Sequence, residues 1–182
     1  MQPVYPPASS LAQAASAQGP EAELHIVFFC MGNICRSPTA HGVFRQRLAQ
    51  AGLLHRVRVD SAGTHNYHPG KPPDARSQQC AAQRGYDLSD LRARQLTDED
   101  FERAHLLLGM DWDNMALAEA QCPAPHRKKL RRLTEFCQRH DATVVPDPYY
   151  GGNEGFEQVL DLVEDACDGL LRHVQQRLAA QA

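Results

Sequence analysis

Long apolar runs are missing from this chain of 182 residues. A membrane-spanning helix requires roughly 20 consecutive apolar residues, so no membrane span is predicted. Residues 1–23 contain neither lysine nor arginine and no extended apolar stretch, which argues against a secretory signal peptide. An excess of positive charge is missing as well, because the formal net charge is -3 and the isoelectric point is about 6.3. General affinity for nucleic acid or for a membrane surface is therefore not expected.

The length of the chain suits a single domain with a sizeable core. Residues 1–23 are rich in Ala, Gln, Ser and Pro and have little to bury, so we predict a disordered extension there. The folded domain is predicted over residues 24–182. Among the six cysteines, Cys30 and Cys35 lie close together. This placement indicates a protein of the reducing cytoplasm rather than a disulfide scaffold.

Strand and helix patterns alternate along the predicted domain. The segments that resemble strands are residues 24–29, 56–60, 105–110 and 128–133, and the last is basic enough to be expected only at an edge of the sheet. The segments with helical spacing are residues 40–51, 75–84, 111–120 and 156–178. Thr97 and Asp100 resemble a capping box before a further short helix. This alternation predicts an α/β domain with a mostly parallel sheet, in which ligands bind beyond the carboxyl ends of the strands.

The stretch Cys30–Pro38, which reads Cys-Met-Gly-Asn-Ile-Cys-Arg-Ser-Pro, lies between a predicted strand and a predicted helix. A turn at that place directs successive backbone N–H groups inward, and the following helix adds the positive end of its dipole. Such a field stabilises a bound phosphate and also a thiolate, the reactive form of cysteine. Arg36 adds a planar guanidinium that matches two phosphate oxygens, which lysine could not do. We therefore predict that Cys30 attacks a bound phosphate.

Other residues of the same stretch suit a tight loop. Gly32 allows the backbone to approach a ligand, and Asn33 tolerates the left-handed conformation. Ser37 is expected either to cap the helix or to hydrogen-bond the thiolate, and Pro38 suits the first helical position. The residues expected to surround the phosphate are Met31, Gly32, Asn33, Ile34, Cys35 and Arg36.

Four separated motifs together resemble the low-molecular-weight protein tyrosine phosphatase family. They are the stretch Cys30–Pro38, the segment Asp60–Thr64, the triplet Ala93–Gln95 and the segment Asp147–Gly151, which reads Asp-Pro-Tyr-Tyr-Gly. The resemblance covers residues 24–178. It implies a single α/β domain built on a four-stranded parallel sheet flanked by helices on both faces, with no metal and no cofactor. It also implies hydrolysis of protein phosphotyrosine through a phosphocysteine intermediate.

The resemblance assigns roles to residues outside the loop. Asp147 would be the general acid that protonates the leaving phenolate, a contribution of typically about 10²–10⁴-fold. Tyr67, Tyr149 and Tyr150 would line the mouth of the pocket and contact an aromatic leaving group. Such a pocket favours phosphotyrosine over the shorter phosphoserine. The expected partner is therefore a phosphotyrosine protein.

Polar side chains are expected to brace the loop. In the family that this chain resembles, residues at the positions of Asn33, Ser37 and Ser61 have this role. Many members also carry a histidine three residues before the arginine of the Ala-Arg-Gln triplet, where this chain has Leu91. We therefore expect another group, or a water molecule, to satisfy the side chain of Asn33.

Other functions stay open at this point. A thioredoxin-coupled arsenate reductase resembles the same fold and loop, but it needs two further cysteines close together, and here the next ones are Cys80 and Cys122. A protein-arginine phosphatase is a nearer alternative, although those proteins tend to carry threonine where this loop has Ile34. A non-catalytic phosphate-binding module would have no use for a nucleophile together with a general acid.

Three groups of residues have two interpretations each. Cys35 is either a packing residue or the partner of Cys30 in a reversible disulfide that protects the nucleophile from deeper oxidation. His65 and His68 show no metal-ligand spacing and are expected in a solvated loop. The basic residues of the run His126–Arg132 either form a solvated face or contact an acidic partner.

Overall fold

The computed structural model describes residues 22–181. The predicted disordered extension, residues 1–23, lies outside this range except for residues 22 and 23. Four strands form one parallel sheet, namely β1 (Leu24–Cys30), β2 (Val57–Gly63), β3 (Leu106–Gly109) and β4 (Leu130–Arg132). Their spatial order is β2-β1-β3-β4, so β1 and β3 are the central strands.

Helices cover both faces of the sheet. They are α1 (Arg36–Gln50), α2 (Ala75–Gln83), α3 (Asp98–Arg103), α4 (Trp112–Gln121) and α5 (Asn153–Ala180), with two short 3-10 helices, Ala124–Lys129 and Leu133–Phe136, on either side of β4. The helix α3 begins with the capping box that the sequence predicts. The side chain of Thr97 accepts from the backbone N–H of Asp100, and the carboxylate of Asp100 accepts from the backbone N–H of Thr97.

The sheet has a hydrophobic core on each face. Successive residues of a strand point to opposite faces, and β1 follows this rule. Leu24, Ile26 and Phe28 pack in the larger core with α1 and α5, whereas Val27 and Phe29 pack in the smaller core with α3 and α4. All residues of β1 are buried, as its continuous apolar run predicts. The predicted fold, a single α/β domain with a four-stranded parallel sheet flanked by helices on both faces, is confirmed.

The strand β2 is longer than the sequence predicts. It continues past Asp60 to Gly63, so Ser61 lies within the strand and not beyond its end. The extension follows β1, whose last residue, Cys30, pairs with Gly63. A Cβ atom at residue 63 would lie only 2.7 Å from the carbonyl oxygen of Met31, so this close approach requires glycine.

Two further boundaries differ from prediction. The strand β4 is shorter than residues 128–133 because a 3-10 helix occupies the residues before it, but it lies at an edge as expected. The helix α1 begins at Arg36, with Cys35 at the N-cap position. Ser37 is therefore not the cap, and Pro38 is not the first helical residue. The helix begins inside the motif itself, which brings its N-terminal N–H groups to the loop.

The helix α5 is the longest, with 28 residues, and packs one face against α1 and the larger core. Gly169 lies on that face, where a Cβ atom would overlap the carbonyl oxygen of Phe136. Its other face carries charged side chains, as the amphipathic pattern predicts. No helix within residues 22–181 is long and apolar enough to cross a membrane.

Candidate active site

The carboxyl end of β1 places Cys30 at the base of a loop formed by residues 31–35. Cys30 is buried, and its Sγ atom lies 3.0 Å from the Oγ atom of Ser37. The backbone N–H groups of residues 31–35 donate no hydrogen bond to any other residue in the described range. Such donors beside a thiol, at the start of a helix, form a nest that suits an anion with several oxygens.

Asn33 shapes the loop and connects it to its surroundings. Its φ angle is 58°, the left-handed conformation that the sequence predicts for it. Its Nδ2 atom donates to Oγ of Ser37 at 2.8 Å, and its Oδ1 atom accepts from the backbone N–H of Arg94 at 3.0 Å. The expectation that another group satisfies Asn33 is therefore confirmed. Ser37 links Asn33 to Cys30, which agrees with its predicted contact with the thiol rather than with capping.

Ser61 contacts a residue that the sequence did not single out. Its Oγ atom lies 3.1 Å from Nδ1 of His41, a buried residue of α1. Burial, together with the nearby guanidinium of Arg45, lowers the pKa of His41 to about 4, so the ring is neutral near neutral pH. Leu91 packs in the larger core. Ser61 is therefore held from α1, where a polar residue on a buried helix face was the available signal.

Arg36 is almost completely buried, with 2% of its surface exposed. Its Nη1 atom donates to Oδ2 of Asp111 at 2.6 Å and to the carbonyl oxygen of Val145 at 3.0 Å. Its Nη2 atom lies 3.7 Å from Oδ2 of Asp147. Burial disfavours the charged guanidinium, but Cys30 and Asp111 outweigh burial and raise the pKa of Arg36. The guanidinium therefore stays charged in one fixed orientation.

Asp111 is a second residue that the sequence did not single out. It lies two residues after the end of β3 and caps α4, because its Oδ1 atom accepts from the backbone N–H of Asn114 at 2.7 Å. Its other carboxylate oxygen holds Arg36. A carboxylate just beyond the carboxyl end of a parallel strand lies at the ligand-binding edge of the sheet, and this position is the signal that could have identified it.

A cavity of about 280 Å³ opens above the loop. It is lined by Cys30, Met31, Gly32, Ile34, Cys35, Arg36, Tyr67, His68, Asp147, Tyr149 and Tyr150. The structure thus brings the predicted nucleophile, the predicted general acid and the three predicted rim tyrosines to one cavity. The predicted support residues Asn33, Ser37 and Ser61 are buried and do not line it.

One wall of the cavity is the mouth loop, residues 146–152. The side chain of Asp147 is 41% exposed, and its Oδ1 atom accepts from the backbone N–H of Tyr149 at 3.1 Å. The rings of Tyr149 and Tyr150 meet edge to face, with centroids 5.0 Å apart. The guanidinium of Arg76 lies over Tyr149, 5.5 Å from the ring centroid, and fastens this wall to α2.

The opposite wall comes from the loop after β2. The exposed ring of Tyr67 stacks on His65, with centroids 4.7 Å apart. His68 lies in a loop, as expected, but it is half-buried and lines the cavity, a position that the sequence did not indicate. A Cβ atom at Gly32 would lie 3.1 Å from Cδ2 of His68, so the ring lies against the phosphate loop. Nothing in a Gly- and Pro-rich segment indicates which histidine turns toward a pocket.

The cysteines differ in their surroundings. Cys35 is buried, and burial, with the carboxylate of Asp74 adding to it, raises the pKa of Cys35 to about 12. It is therefore a protonated thiol near neutral pH. All six cysteines are free, and the disulfide between Cys30 and Cys35 stays a prediction. Within residues 22–181, no group of three or more His, Cys, Asp or Glu side chains could hold a metal ion.

Known proteins resemble this chain over most of its length. The family profile described as low molecular weight phosphotyrosine protein phosphatase matches residues 25–180. The low molecular weight protein-tyrosine-phosphatase of Streptomyces coelicolor is 40% identical over 164 residues, which cover 86% of this chain and 97% of that protein. The low molecular weight phosphotyrosine protein phosphatase of Homo sapiens is 36% identical over 154 residues, which cover 83% of this chain and 96% of that protein.

A solved structure agrees with these sequence matches. The crystal structure of a protein tyrosine phosphatase from Entamoeba histolytica matches with a TM-score of 0.82 and 37% identity, covering 84% of this chain and 97% of that one. Fold, sequence profile and relatives thus lead to one assignment. The chain belongs to the low molecular weight phosphotyrosine protein phosphatase family.

Proposed function

We propose that this protein hydrolyses phosphotyrosine in protein substrates through a phosphocysteine intermediate. One observation carries the proposal. Cys30 lies at the base of a loop whose backbone N–H groups donate no hydrogen bond within the described range, and it shares one cavity with the buried Arg36 and with Asp147. Family membership supports it, because the relatives are named for protein tyrosine phosphatase activity.

The loop binds the phosphate group before any bond changes. The N–H groups of residues 31–35 and the edge of Arg36 face its three non-bridging oxygens and neutralise the charge that spreads over them in the transition state. Asp111 and Val145 hold Nη1 of Arg36, so Nε and Nη2 serve the phosphate. Because these donors are already in place, binding requires little reorganisation.

Phosphoryl transfer then takes two displacements. In the first, the Cys30 thiolate forms an S–P bond, the P–O bond to tyrosine breaks, and Asp147 donates a proton to the leaving phenolate. In the second, water attacks phosphorus, Asp147 accepts a proton from it, and the S–P bond breaks to release phosphate. The hydroxyl of Ser37, 3.0 Å from Sγ, stabilises the thiolate in both steps.

The aromatic walls favour an aryl ester. Tyr67, Tyr149 and Tyr150 offer rings on both sides of the cavity, and such rings contact a phenyl group by stacking or edge to face. Phosphoarginine would present a flexible aliphatic chain in the same place. These walls support phosphotyrosine over phosphoarginine as the substrate.

The cysteines support hydrolysis rather than arsenate reduction. Cys80 packs in the larger core and Cys122 in the smaller core, on opposite faces of the sheet. The two thiols are therefore not placed to form the relay disulfide that a reductase requires. Six free cysteines also suit the reducing cytoplasm, which we propose as the site of action.

Two variants test the mechanism. Cys30→Ser should abolish hydrolysis of p-nitrophenyl phosphate and of phosphotyrosine peptides while keeping the circular dichroism spectrum of the parent. Asp147→Ala should lower kcat/KM, which reports the steps up to departure of the leaving group, by about 10²–10³-fold for phenyl phosphate. The loss should be smaller for p-nitrophenyl phosphate, whose leaving group needs no proton. Undiminished turnover by Cys30→Ser would show that Cys30 is not the nucleophile. An equal loss on both esters would show that Asp147 is not the general acid. Phosphoarginine peptides in the same assay test the alternative substrate.

A further inference from the structure

The only tryptophan of the chain lies on the surface beside the active site. Trp112 is the first residue of α4, is 58% exposed, and directly follows Asp111, which holds Arg36. The guanidinium of Arg132 lies over its ring, 4.1 Å from the centroid. Neither Trp112 nor Arg132 takes part in the chemistry described above. Tryptophan and arginine together are typical of the residues that dominate binding at protein interfaces.

The stacked pair lies at the same edge of the sheet as the phosphate loop. Phe29, Gly109 and Arg132 occupy one row across β1, β3 and β4. Neighbouring strands are about 4.8 Å apart, so the Cα atom of Arg132 lies roughly 10 Å from that of Phe29. Phe29 directly precedes Cys30. The pair is therefore a short distance to the side of the nucleophile, on the opposite side from Tyr67.

The charge of Arg132 is not paired. No carboxylate in the described range lies within ion-pair distance of its guanidinium, whereas the neighbouring Arg131 pairs with Glu135 at 3.4 Å. The carboxylate of Glu135 also accepts the backbone N–H of Arg132, so it is already occupied. Nη1 of Arg132 donates to the carbonyl oxygen of Thr143 at 2.6 Å. Stacking uses the flat face of the guanidinium, so the other N–H groups along its edge can bind a carboxylate.

We propose that Trp112 and Arg132 form a docking surface for the substrate peptide, and that this surface selects an acidic residue about three positions from the phosphotyrosine. The inference rests on the proposed function. An extended peptide advances about 3.3 Å per residue, so three residues span a distance like the roughly 10 Å between the Cα atoms of Arg132 and of Phe29, which precedes the nucleophile. The acidic side chain takes the edge of Arg132 in a charge-assisted pair, and the exposed indole face covers the adjoining peptide.

A purely structural pair is the alternative. Stacking of Arg132 on Trp112 also fastens β4 to α4, and this role alone predicts a change in stability with no change in the choice of peptide. The preference between two peptides therefore separates the two roles. Asp113, beside Trp112 in the sequence, carries a negative charge that repels an acidic peptide. A preference for the Glu peptide would therefore show that the attraction by Arg132 outweighs this repulsion.

The experiment compares pairs of phosphotyrosine peptides that differ only in Glu or Gln, placed three residues before or three residues after the phosphotyrosine. We expect the parent protein to hydrolyse the Glu member of one pair with a kcat/KM about three- to fivefold higher, the size of effect that one exposed ion pair gives. In Arg132→Gln this ratio should fall to about one. Hydrolysis of p-nitrophenyl phosphate normalises the amount of active protein in each preparation.

Arg103→Gln is the matched control. Arg103 is an exposed arginine of α3, paired with Glu99 at 3.0 Å, and α3 precedes the amino end of β3, away from the phosphate loop. The substitution makes the same change in net charge and should keep the parent's ratio. The proposal is overturned if the parent shows no preference in either pair, if Arg132→Gln keeps it, or if Arg103→Gln loses it equally.

Binding gives a readout that does not depend on turnover. Because Trp112 is the only tryptophan, its fluorescence in Cys30→Ser reports directly on the docking surface. Titration with the Glu peptide should change the signal at a lower Kd than titration with the Gln peptide, and adding Arg132→Gln should remove the difference. Absence of hydrolysis by the parent would refute the proposed function, whereas equal Kd values for the two peptides would refute the docking surface.

Discussion

The phosphate loop and the mouth above it are built in opposite ways. Asn33 and Arg36 are buried, and short hydrogen bonds to protein groups fix their side chains. In the mouth, Tyr149 is 39% exposed and Tyr150 is 94% exposed, and edge-to-face and cation–π contacts hold their rings. The side chains at the base of the cavity are therefore fixed by hydrogen bonds, whereas the tyrosines around its mouth are largely exposed to solvent.

This difference matches two different tasks. Stabilising charge in a transition state requires donors held in place at low dielectric, because electrostatic interactions are stronger there than in water. Contact with the surrounding peptide needs only apolar area near the surface, where each interaction is weak. Substitutions in the phosphate loop should therefore change kcat by orders of magnitude, and substitutions of the mouth tyrosines should change KM by small factors.

The largest effect is expected for Arg36→Lys. Lysine keeps the charge but loses the planar fork that Asp111 orients toward the phosphate. We expect kcat for p-nitrophenyl phosphate to fall by about 10²–10³-fold, measured by steady-state kinetics.

Arg45→Lys is the matched control for this prediction. Arg45 is also a buried arginine of α1, and it makes two hydrogen bonds with the carboxylate of Asp90, at 2.7 and 2.9 Å. It does not line the cavity, so turnover in Arg45→Lys should stay within about threefold of the parent. Equal losses in both variants would show that the effect at Arg36 comes from damage to the fold and not from a lost contact with the phosphate.

Acid should destabilise the folded protein through His41. In the folded protein the pKa of His41 is lowered to about 4, whereas a histidine in an unfolded chain has a pKa of about 6.5. Between these values the unfolded chain binds a proton that the folded protein does not, so the free energy of unfolding falls as the pH drops from about 6.5 to about 4. For His41 the loss should reach roughly 2–3 kcal/mol near pH 4, and urea unfolding at several pH values measures it.

Two variants separate His41 from other histidines. His41→Gln should flatten part of this pH dependence, because glutamine does not titrate. Burial and the nearby Arg58 also lower the pKa of His25 to about 4. His25 should therefore contribute to the pH dependence that remains. His55→Gln changes an exposed histidine and should leave the slope as it is in the parent. An unchanged slope in His41→Gln would show that this ring does not carry the effect.

The smallest effect is expected for Tyr150→Ala. Its ring is almost fully exposed and contacts Tyr149 at its edge. The KM for a phosphotyrosine peptide should rise about two- to threefold with little change in kcat. Tyr149→Ala should raise KM more, because that ring is more buried and Arg76 lies over it. A greater loss at Tyr150 than at Tyr149 would contradict this ranking of the walls by burial.

Much of the fold could be predicted because buried apolar residues recur at characteristic intervals along strands and helices. The continuous apolar run of β1 indicated a strand buried on both faces, and the spacing in α5 indicated one long amphipathic helix. Boundaries were less predictable. The end of β2 depends on pairing between Cys30 and Gly63, and this pairing involves segments that are separate in the sequence.

The residues of the site also fall into two groups, those that the local sequence pattern predicts and those that it does not. Cys30 and Arg36 lie in one short stretch between a strand and a helix, so local pattern was sufficient to place them together at the edge of the sheet. Asp147 lies far along the chain, and only the resemblance to a family connected it to them. His68 looked like any loop histidine, because the pattern of a turn-rich segment does not show which side faces a pocket.

The order of the strands and main helices and the phosphate-loop motif could be predicted from residues that are neighbours along the chain. Three contacts join residues far apart in the sequence and could not be predicted: His41 contacts Ser61, Asp111 orients Arg36, and Arg132 lies over Trp112 without a carboxylate partner in the described range. Hydrogen bonds and ring contacts act over a few ångströms and in defined directions. Which distant residues meet at that range is a property of the packed fold.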